Sequence, residues 1–287
     1  MKNGSYFIPR EQLYPYMNPG EMNNEEGLYI YWETDPAAAR RVLPPIFELQ
    51  DPAHPIAMVY VVNIREPTFA PWYMEGGLML LCRYGEVPGV YILNLQLSGP
   101  GALMGLCSGR EAGLPKKICE RIVVERTGDT ARALIEAKGR RIFDVEVELG
   151  GYNDPLMGQM CAGLGPGTRA RGSCFLFQYE TGKAPDKHVI YNRVKLINYD
   201  SATDYKTWEP ASIRSFEMEP SLDDPWAELS VVNPLGAGYS VNSNPVLGVS
   251  TLAEFQGEEA DRLMPYLFSG RWDRSTIVTG SQRYGQF

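Results

Sequence analysis

The stretch "RIFDVEVELG", residues 141–150, alternates without a break. Phe143, Val145, Val147 and Leu149 fall on one side, Asp144, Glu146 and Glu148 on the other. A period of two cannot gather an apolar face on a helix, whose repeat is 3.6, but it does so on a pleated strand. One apolar face and one acidic face describe an antiparallel strand packed on a core and wetted on its back. Just before it, "ARALIEAKGRR" runs into a turn at Gly139, so the two segments form a hairpin. "GLYIYWET", "AMVYVVNI", "GLMLLCRYG", "YILNLQLSG" and "SCFLFQYE" read as further strands between Gly and Pro punctuation. Helices are few. "DPAAARRVLPP" offers Asp35 as N-cap, Pro36 at the first helical position and Pro44 as a stop. "GEEADRLMPYL" is a second candidate, interrupted at Pro265. The stretch from about 200 to 245, rich in Asp, Ser, Asn and Pro, is expected to supply long loops. The pattern predicts a mainly β (α+β) chain, one antiparallel, barrel-like domain over residues 1–287 with a few peripheral helices.

Charge and composition remove several function classes. With 27 Lys+Arg against 35 Asp+Glu the net charge is −8, the wrong sign for a nucleic-acid partner or an anionic membrane surface. No stretch approaches the ~20 apolar residues of a membrane span, and the opening "MKNGSYFIPREQLYPYMN" carries no apolar run of the signal-peptide kind. The five cysteines are odd in number and lack a C-x-x-C pair, so free thiols in a reducing cytoplasm are expected, without a disulfide framework or zinc knuckle. Only His54 and His188 are available to a metal site or a Ser-His-Asp triad, and no G-x-S-x-G elbow, P-loop or H-E-x-x-H motif occurs. "GLGPG" at 163–167 lacks the G-x-G-x-x-G spacing and reads as a turn.

What stands out is "EAGLPKKICERI", residues 111–122. Two lysines follow a proline beside Leu114 and Ile118. An amine attacks a carbonyl only when neutral, and a free lysine titrates near 10.4. Removal from water and a second nearby cation both disfavour its charged form. Most Lys-Lys pairs, however, are solvated surface residues.

The surroundings of this pair carry more. "GREAGLPKK", 109–117, resembles the signature of the acetoacetate decarboxylase family, Gly-Arg-Glu followed by a short linker and Pro-Lys-Lys. "YMEGG", 73–77, resembles that family's Tyr-x-Glu-Ser-Gly segment, about forty residues upstream of the lysines. "WETDPAAARRVLPP" looks like its strand-Thr-Asp-helix opening. The resemblance spans roughly residues 25–125. It implies that Lys116 is the Schiff-base nucleophile, activated in this family by a neighbouring cation, that Lys117 is that neighbour, and that Glu75 is an active-site carboxylate. It implies a homo-oligomer and no cofactor, since the lysine itself supplies the electron sink.

Two departures bear on the substrate. Aligned on Thr34 and Asp35, the family's substrate-facing arginine falls at Glu25, a reversal of charge, and its other glutamate falls near Tyr60. Arg110, Arg65 and Arg83 are candidates to replace the arginine, and Tyr60 to relay a proton. The expected activity is decarboxylation of a small, acetoacetate-like β-keto acid through a Lys116 iminium. Two alternatives are a pyruvate aldolase-dehydratase using the same lysine and a ligand-binding barrel without turnover. Lys116, Lys117 and Glu75 are the expected catalytic residues; Arg110, Tyr60 and Arg65 are the expected substrate-binding residues; no metal is expected.

Overall fold

The computed structural model describes residues 6–13, 20–186 and 189–276. His188 and the C-terminal "SQRYGQF" lie outside them. After a short helix α1 (Arg10–Leu13) come β1 (Met22–Thr34), α2 (Pro36–Val42), β2 (Glu48–Leu49), β3 (Ile56–Pro67), β4 (Tyr73–Tyr84) and β5 (Val87–Ser98). Next are α3 (Ala102–Ala112), β6 (Lys116–Ile118), β7 (Arg121–Thr127), β8 (Thr130–Ala137), β9 (Arg140–Leu149) and α4 (Pro155–Met160). The chain continues with β10 (Arg169–Lys183), β11 (Val189–Glu217), β12 (Val231–Asn244), β13 (Val246–Phe255) and α5 (Glu258–Ser269). The fold is mainly β with few helices, as the alternation predicts.

The strands join in one sheet of order β10-β5-β4-β3-β1-β12-β11-β9-β8-β7, and β10 also pairs with β11. Most neighbours are antiparallel. Among the described residues the two parallel pairings both involve the edge of β5 opposite β4, where β10 pairs with Val90 and Tyr91 and β6 with Leu95, Gln96 and Leu97. The alternating segment 141–150 behaves as read: Phe143, Val145 and Val147 are buried in the larger core, while Glu146 and Glu148 are exposed. Asp144 departs from its exposed neighbours because Arg132, across the β8–β9 hairpin, clamps both of its oxygens at 2.8 and 2.7 Å. That bidentate contact holds the Asp144 carboxyl below its ordinary range. At the hairpin turn Lys138 and Gly139 both have positive φ, 56° and 69°, the conformation that suits the twist of a two-residue connection.

Two expectations are corrected. The 200–245 stretch is not loop-rich: 29-residue β11 and 14-residue β12 occupy most of it. Its polar residues are interspersed with buried Ala202, Tyr205, Trp208 and Ala211, Tyr205 and Trp208 packing into one core and Ala211 into the other, so the composition reflects long strands rather than loops. Pro265 does not interrupt α5, which continues through it to Ser269. Asp35 does cap α2, accepting from the Ala38 N–H at 2.8 Å. Among the described residues no helix is long and apolar enough to cross a membrane.

Pro265 removes a backbone donor from an exposed position of α5, where a proline costs about 3 kcal/mol relative to alanine. Pro265→Ala is therefore expected to stabilise the fold by about 1–3 kcal/mol, read as a higher midpoint in chemical denaturation. An unchanged or lower midpoint would mean that the helix has absorbed the proline at no cost.

Candidate active site

Lys116 and Lys117 open the three-residue strand β6, with Leu95 of β5 opposite Lys116 and Gln96 opposite Lys117. Successive side chains on a strand point to opposite faces. The two ammonium groups therefore leave the backbone in opposite directions, and each is buried, at 3% and 2% exposure.

Lys117 points away from the cavity described below. Its Nζ donates to the Asp223 carbonyl oxygen at 2.6 Å and pairs with Asp224 Oδ1 at 3.3 Å and Asp273 Oδ1 at 3.1 Å. Lys138 joins the cluster through Asp273 Oδ2 at 2.9 Å. On the same face Gln96 donates to Asp224 at 2.8 Å and to Asn94 at 2.9 Å. Burial pushes the Asp224 carboxyl up, and Lys117 beside it pulls the other way. The charge of Lys117 is thus met by carboxylates on its own side of the strand.

Lys116 faces the other way, into a cavity of about 470 Å³. Its Nζ lies 2.7 Å from Glu75 Oε2, with both side chains 3% exposed, and 5.6 Å from the centre of the Tyr73 ring. Glu75 sits on β4 opposite Leu97 of β5, and its other oxygen accepts a 2.6 Å hydrogen bond from the Tyr60 hydroxyl. Lys116, Glu75 and Tyr60 are therefore brought together. Around them the cavity is mostly apolar or aromatic, with Tyr29, Met58, Met79, Ile92, Leu114 and Leu176 in its wall.

The "GREAGLPKK" segment is explained by how it holds β6. Gly109 lies on α3 against the Lys116 stem: a Cβ there would stand 2.5 Å from Cδ and 2.7 Å from Cε of Lys116. Only glycine lets the helix approach this closely. Gly113 ends α3 in the left-handed region at φ 107°.

Arg110 does not line the cavity. Its Nε donates to the Lys116 carbonyl at 2.8 Å, its Nη2 donates to the Arg271 carbonyl, and its guanidinium lies 5.5 Å from the centre of the Trp272 ring. The expected substrate-binding arginine is instead a backbone clamp. Arg65 is also away from the cavity, more than half exposed and paired with Glu26, and Arg83 pairs with Glu48. Among the described residues Arg171 is the one guanidinium in the lining, 64% exposed and paired with Asp200 at 2.9 Å.

The residue that the motif comparison marks only as a departure is in the site. Glu25 lines the same cavity at 3% exposure. Burial raises its carboxyl to about 8; the charge of Glu75 adds to this, while hydrogen bonds from Asn244 and Tyr29 and the charge of Lys116 oppose it. Its sequence signal is a carboxylate where the family pattern has an arginine. Tyr73 belongs to the "YMEGG" match, whereas Tyr29 and Asn244 carried no such signal.

Breaking a buried ion pair by removing one partner costs about 3–5 kcal/mol, because the other charge is left uncompensated. Lys117→Ala, which strands the buried Asp224, is expected to lose stability on that scale in a denaturant titration. A loss below about 1 kcal/mol would contradict a structural role for Lys117.

The acetoacetate decarboxylase (ADC) family profile matches residues 7–254. The chain is 32% identical over 274 residues, 94% of its length and 95% of the relative's, to the CLA biosynthesis isomerase of Lactiplantibacillus plantarum. It is 32% identical over 113 residues to the acetoacetate decarboxylase of Acidiphilium cryptum (strain JF-5), covering 39% of this chain and 43% of that one. The fold is similar to the crystal structure of acetoacetate decarboxylase from Legionella pneumophila, with a TM-score of 0.67, 17% identity and coverage of 83% and 88%. It is also similar to the enduracididine biosynthesis enzyme MppR complexed with pyruvate, with a TM-score of 0.58, 15% identity and coverage of 84% and 93%. A profile match across most of the chain, together with a relative aligned nearly end to end, places this protein in the acetoacetate decarboxylase family.

Proposed function

We propose that this protein forms a Schiff base between Lys116 and the carbonyl of an apolar, unsaturated ketone. On this reading it then moves a proton so that a β,γ double bond shifts into conjugation with the carbonyl. The observation that carries the reading is the buried 2.7 Å contact of Lys116 with Glu75 on the wall of a largely apolar cavity.

A lysine and a carboxylate in contact can do the following. Glu75 takes a proton from the ammonium, leaving a neutral amine that adds to the ketone. Protonated Glu75 returns the proton to the departing hydroxyl, and water leaves an iminium. The carboxylate of Glu75 then removes a proton from the carbon between the carbonyl carbon and the double bond. The iminium nitrogen takes up the electron pair and a neutral dienamine forms. Protonation of its far end gives the conjugated iminium, which water hydrolyses. Tyr60, hydrogen-bonded to Glu75, orients that carboxyl through the sequence.

Three features favour this reading over the expected decarboxylation of a small β-keto acid. The cavity, about 470 Å³, belongs to the range of ~300–1,000 Å³ that houses much larger ligands than four carbons. Among the described residues the one guanidinium in the lining, Arg171, is largely exposed and already paired with Asp200, while Glu25 lines the same cavity with a buried carboxyl. The relative aligned over almost the whole chain is named an isomerase, whereas the named decarboxylase covers less than half. The β10–β5 and β10–β11 pairings support the expected barrel-like reading of the wall around the cavity.

Borohydride trapping followed by peptide mapping tests the proposal, with a long-chain β,γ-unsaturated ketone, acetoacetate and pyruvate plus an aldehyde supplied separately. The expected result is reduction onto Lys116 with the unsaturated ketone, appearance of conjugated-enone absorbance without borohydride, and loss of both in Lys116→Ala. Carbon dioxide release from acetoacetate without any enone formation would instead establish the decarboxylase. Condensation of pyruvate with the aldehyde would establish the aldolase-dehydratase.

A further inference from the structure

We propose that Glu25 is a second catalytic carboxyl of this site, the acid that delivers a proton to the far carbon of the dienamine after Glu75 has taken one from the near carbon. This rests on the Schiff-base reading above and extends it by naming the donor.

Glu25 lies on β1, between Ile64 of β3 and Asn242 of β12. It is 3% exposed, and among the described residues no ion pair reaches it. A carboxyl so placed must be compensated by hydrogen bonds or stay neutral. Both of its hydrogen bonds end on Oε2, from the Tyr29 hydroxyl at 3.3 Å and from Asn244 Nδ2. These donors are held in turn. Asn242 Nδ2 donates to the Tyr29 oxygen at 2.8 Å, Asn244 Nδ2 donates to Asn242 Oδ1 at 3.0 Å, and Thr203 Oγ1 donates to Asn244 Oδ1 at 2.7 Å. With Oε2 accepting from two donors, a proton on this carboxyl sits on Oε1, the oxygen left to the cavity. The network therefore presents an O–H rather than a carboxylate to whatever lies over Lys116.

Proton bookkeeping needs such a donor. At the dienamine stage Glu75 holds the proton it has just removed. Transfer of the Glu25 proton to the far carbon forms a C–H bond, returns the electron pair to the iminium and leaves Glu25 as carboxylate. Hydrolysis of the iminium consumes one water and releases the product ketone, the neutral lysine and one proton. That proton restores Glu25, and Glu75 re-protonates the amine. Atoms and charge return to the starting state with no other reagent.

The groups facing Glu25 fix the expected pH behaviour. They are Tyr29 on its own strand, Tyr60 from β3, Tyr73 and Glu75 from β4, Lys116 from β6 and Tyr205 from β11. Burial pushes all four tyrosines up, Tyr205 to about 12, so they keep their protons through neutral pH. The Glu25 acid, lifted to about 8, is present below that pH and lost above it.

The test compares wild type, Glu25→Gln and Glu25→Asp with a long-chain β,γ-unsaturated ketone deuterated at the carbon next to the carbonyl. Thermal melting checks that each variant is folded. In Glu25→Gln, borohydride trapping on Lys116 and loss of deuterium are expected within about threefold of wild type. Conjugated product should form about 10²-fold more slowly or worse, the scale of a lost general acid. Glu25→Asp should recover part of that rate. Wild-type product formation should fall above pH 8, and Glu25→Gln should lack that limb. Isomerisation by Glu25→Gln within threefold of wild type overturns the proposal. So does loss of trapping in step with isomerisation, which would make Glu25 a shaping residue for the Lys116–Glu75 pair. If wild type itself is not trapped, the Schiff-base reading fails first and takes this one with it.

Discussion

Two adjacent ammonium groups have to be buried within one peptide's length at β6, and the architecture around this strand follows from how each is compensated. Taking a charged amine out of water costs several kcal/mol even after relaxation, and only a well-placed counter-charge returns it. Strand alternation separates the two problems. Lys117 turns into a cluster of Asp223, Asp224 and Asp273, where Gln96 also donates to Asp224 and to Asn94. Lys116 turns to one carboxylate, Glu75, at the edge of a cavity. The same dipeptide thereby ties the β6 region to residues more than a hundred positions later and presents a single amine to a ligand. The long separation between Lys117 and its partners also explains why a Lys-Lys pair is uninterpretable in isolation: what decides its chemistry is contributed by distant chain.

A lysine with one partner must be held accurately, since a reacting atom misplaced by 1 Å can cost 10²-fold. The support comes from the segment that precedes it. Gly109 lacks the Cβ that would collide with the lysine stem, Arg110 fixes the Lys116 carbonyl and anchors to the Arg271 carbonyl, and the Leu95 N–H binds the Pro115 carbonyl at 3.0 Å. Helix α3, strand β5 and the chain after α5 all meet on this short strand. The density of Gly, Arg and Pro around the lysines is thus a mechanical requirement, and the arginine in it serves the backbone.

This division accounts for what was legible in the sequence. Strand signals depend on local chain only, so the alternating segment 141–150 and the runs at 27–34 and 57–64 between Gly and Pro punctuation could be read directly, as could the Asp35 cap of α2. The 200–245 region misled because its polar residues are interspersed with buried ones along long strands, and composition does not distinguish such a strand from a loop. Pro265 misled because a helix packed through buried Leu263 and Leu267 tolerates one missing hydrogen bond at an exposed position. In the site, Lys116, Glu75 and Tyr60 were legible through motif and spacing. Arg110 was misplaced because proximity in sequence gives no direction to a side chain. Glu25 was visible only as a mismatch, since the network that makes it a neutral donor arrives from β11 and β12.

The charge reversal at Glu25 bears on substrate as much as on mechanism. A cavity holding Lys116 and Glu75 as an ion pair is electrically balanced, and a neutral Glu25 keeps it so. An arginine in place of Glu25 would leave a net positive charge that a substrate carboxylate neutralises, which suits expulsion of carbon dioxide from a keto acid. With a carboxyl there instead, a carboxylate bound beside Lys116 would bring a second uncompensated negative charge into an apolar enclosure, which low-dielectric surroundings penalise heavily. On the proposed reading the site is matched to a head group that enters neutral, and the apolar wall of Met58, Met79, Ile92 and Leu176 to the chain that follows it. An iminium formed there is the one new positive charge in the cycle. On the proposed reading Glu75, freed from the ammonium as the iminium forms, is the carboxylate that stands beside it. In the proposed cycle the proton acceptor is thus unmasked at the step that needs a base.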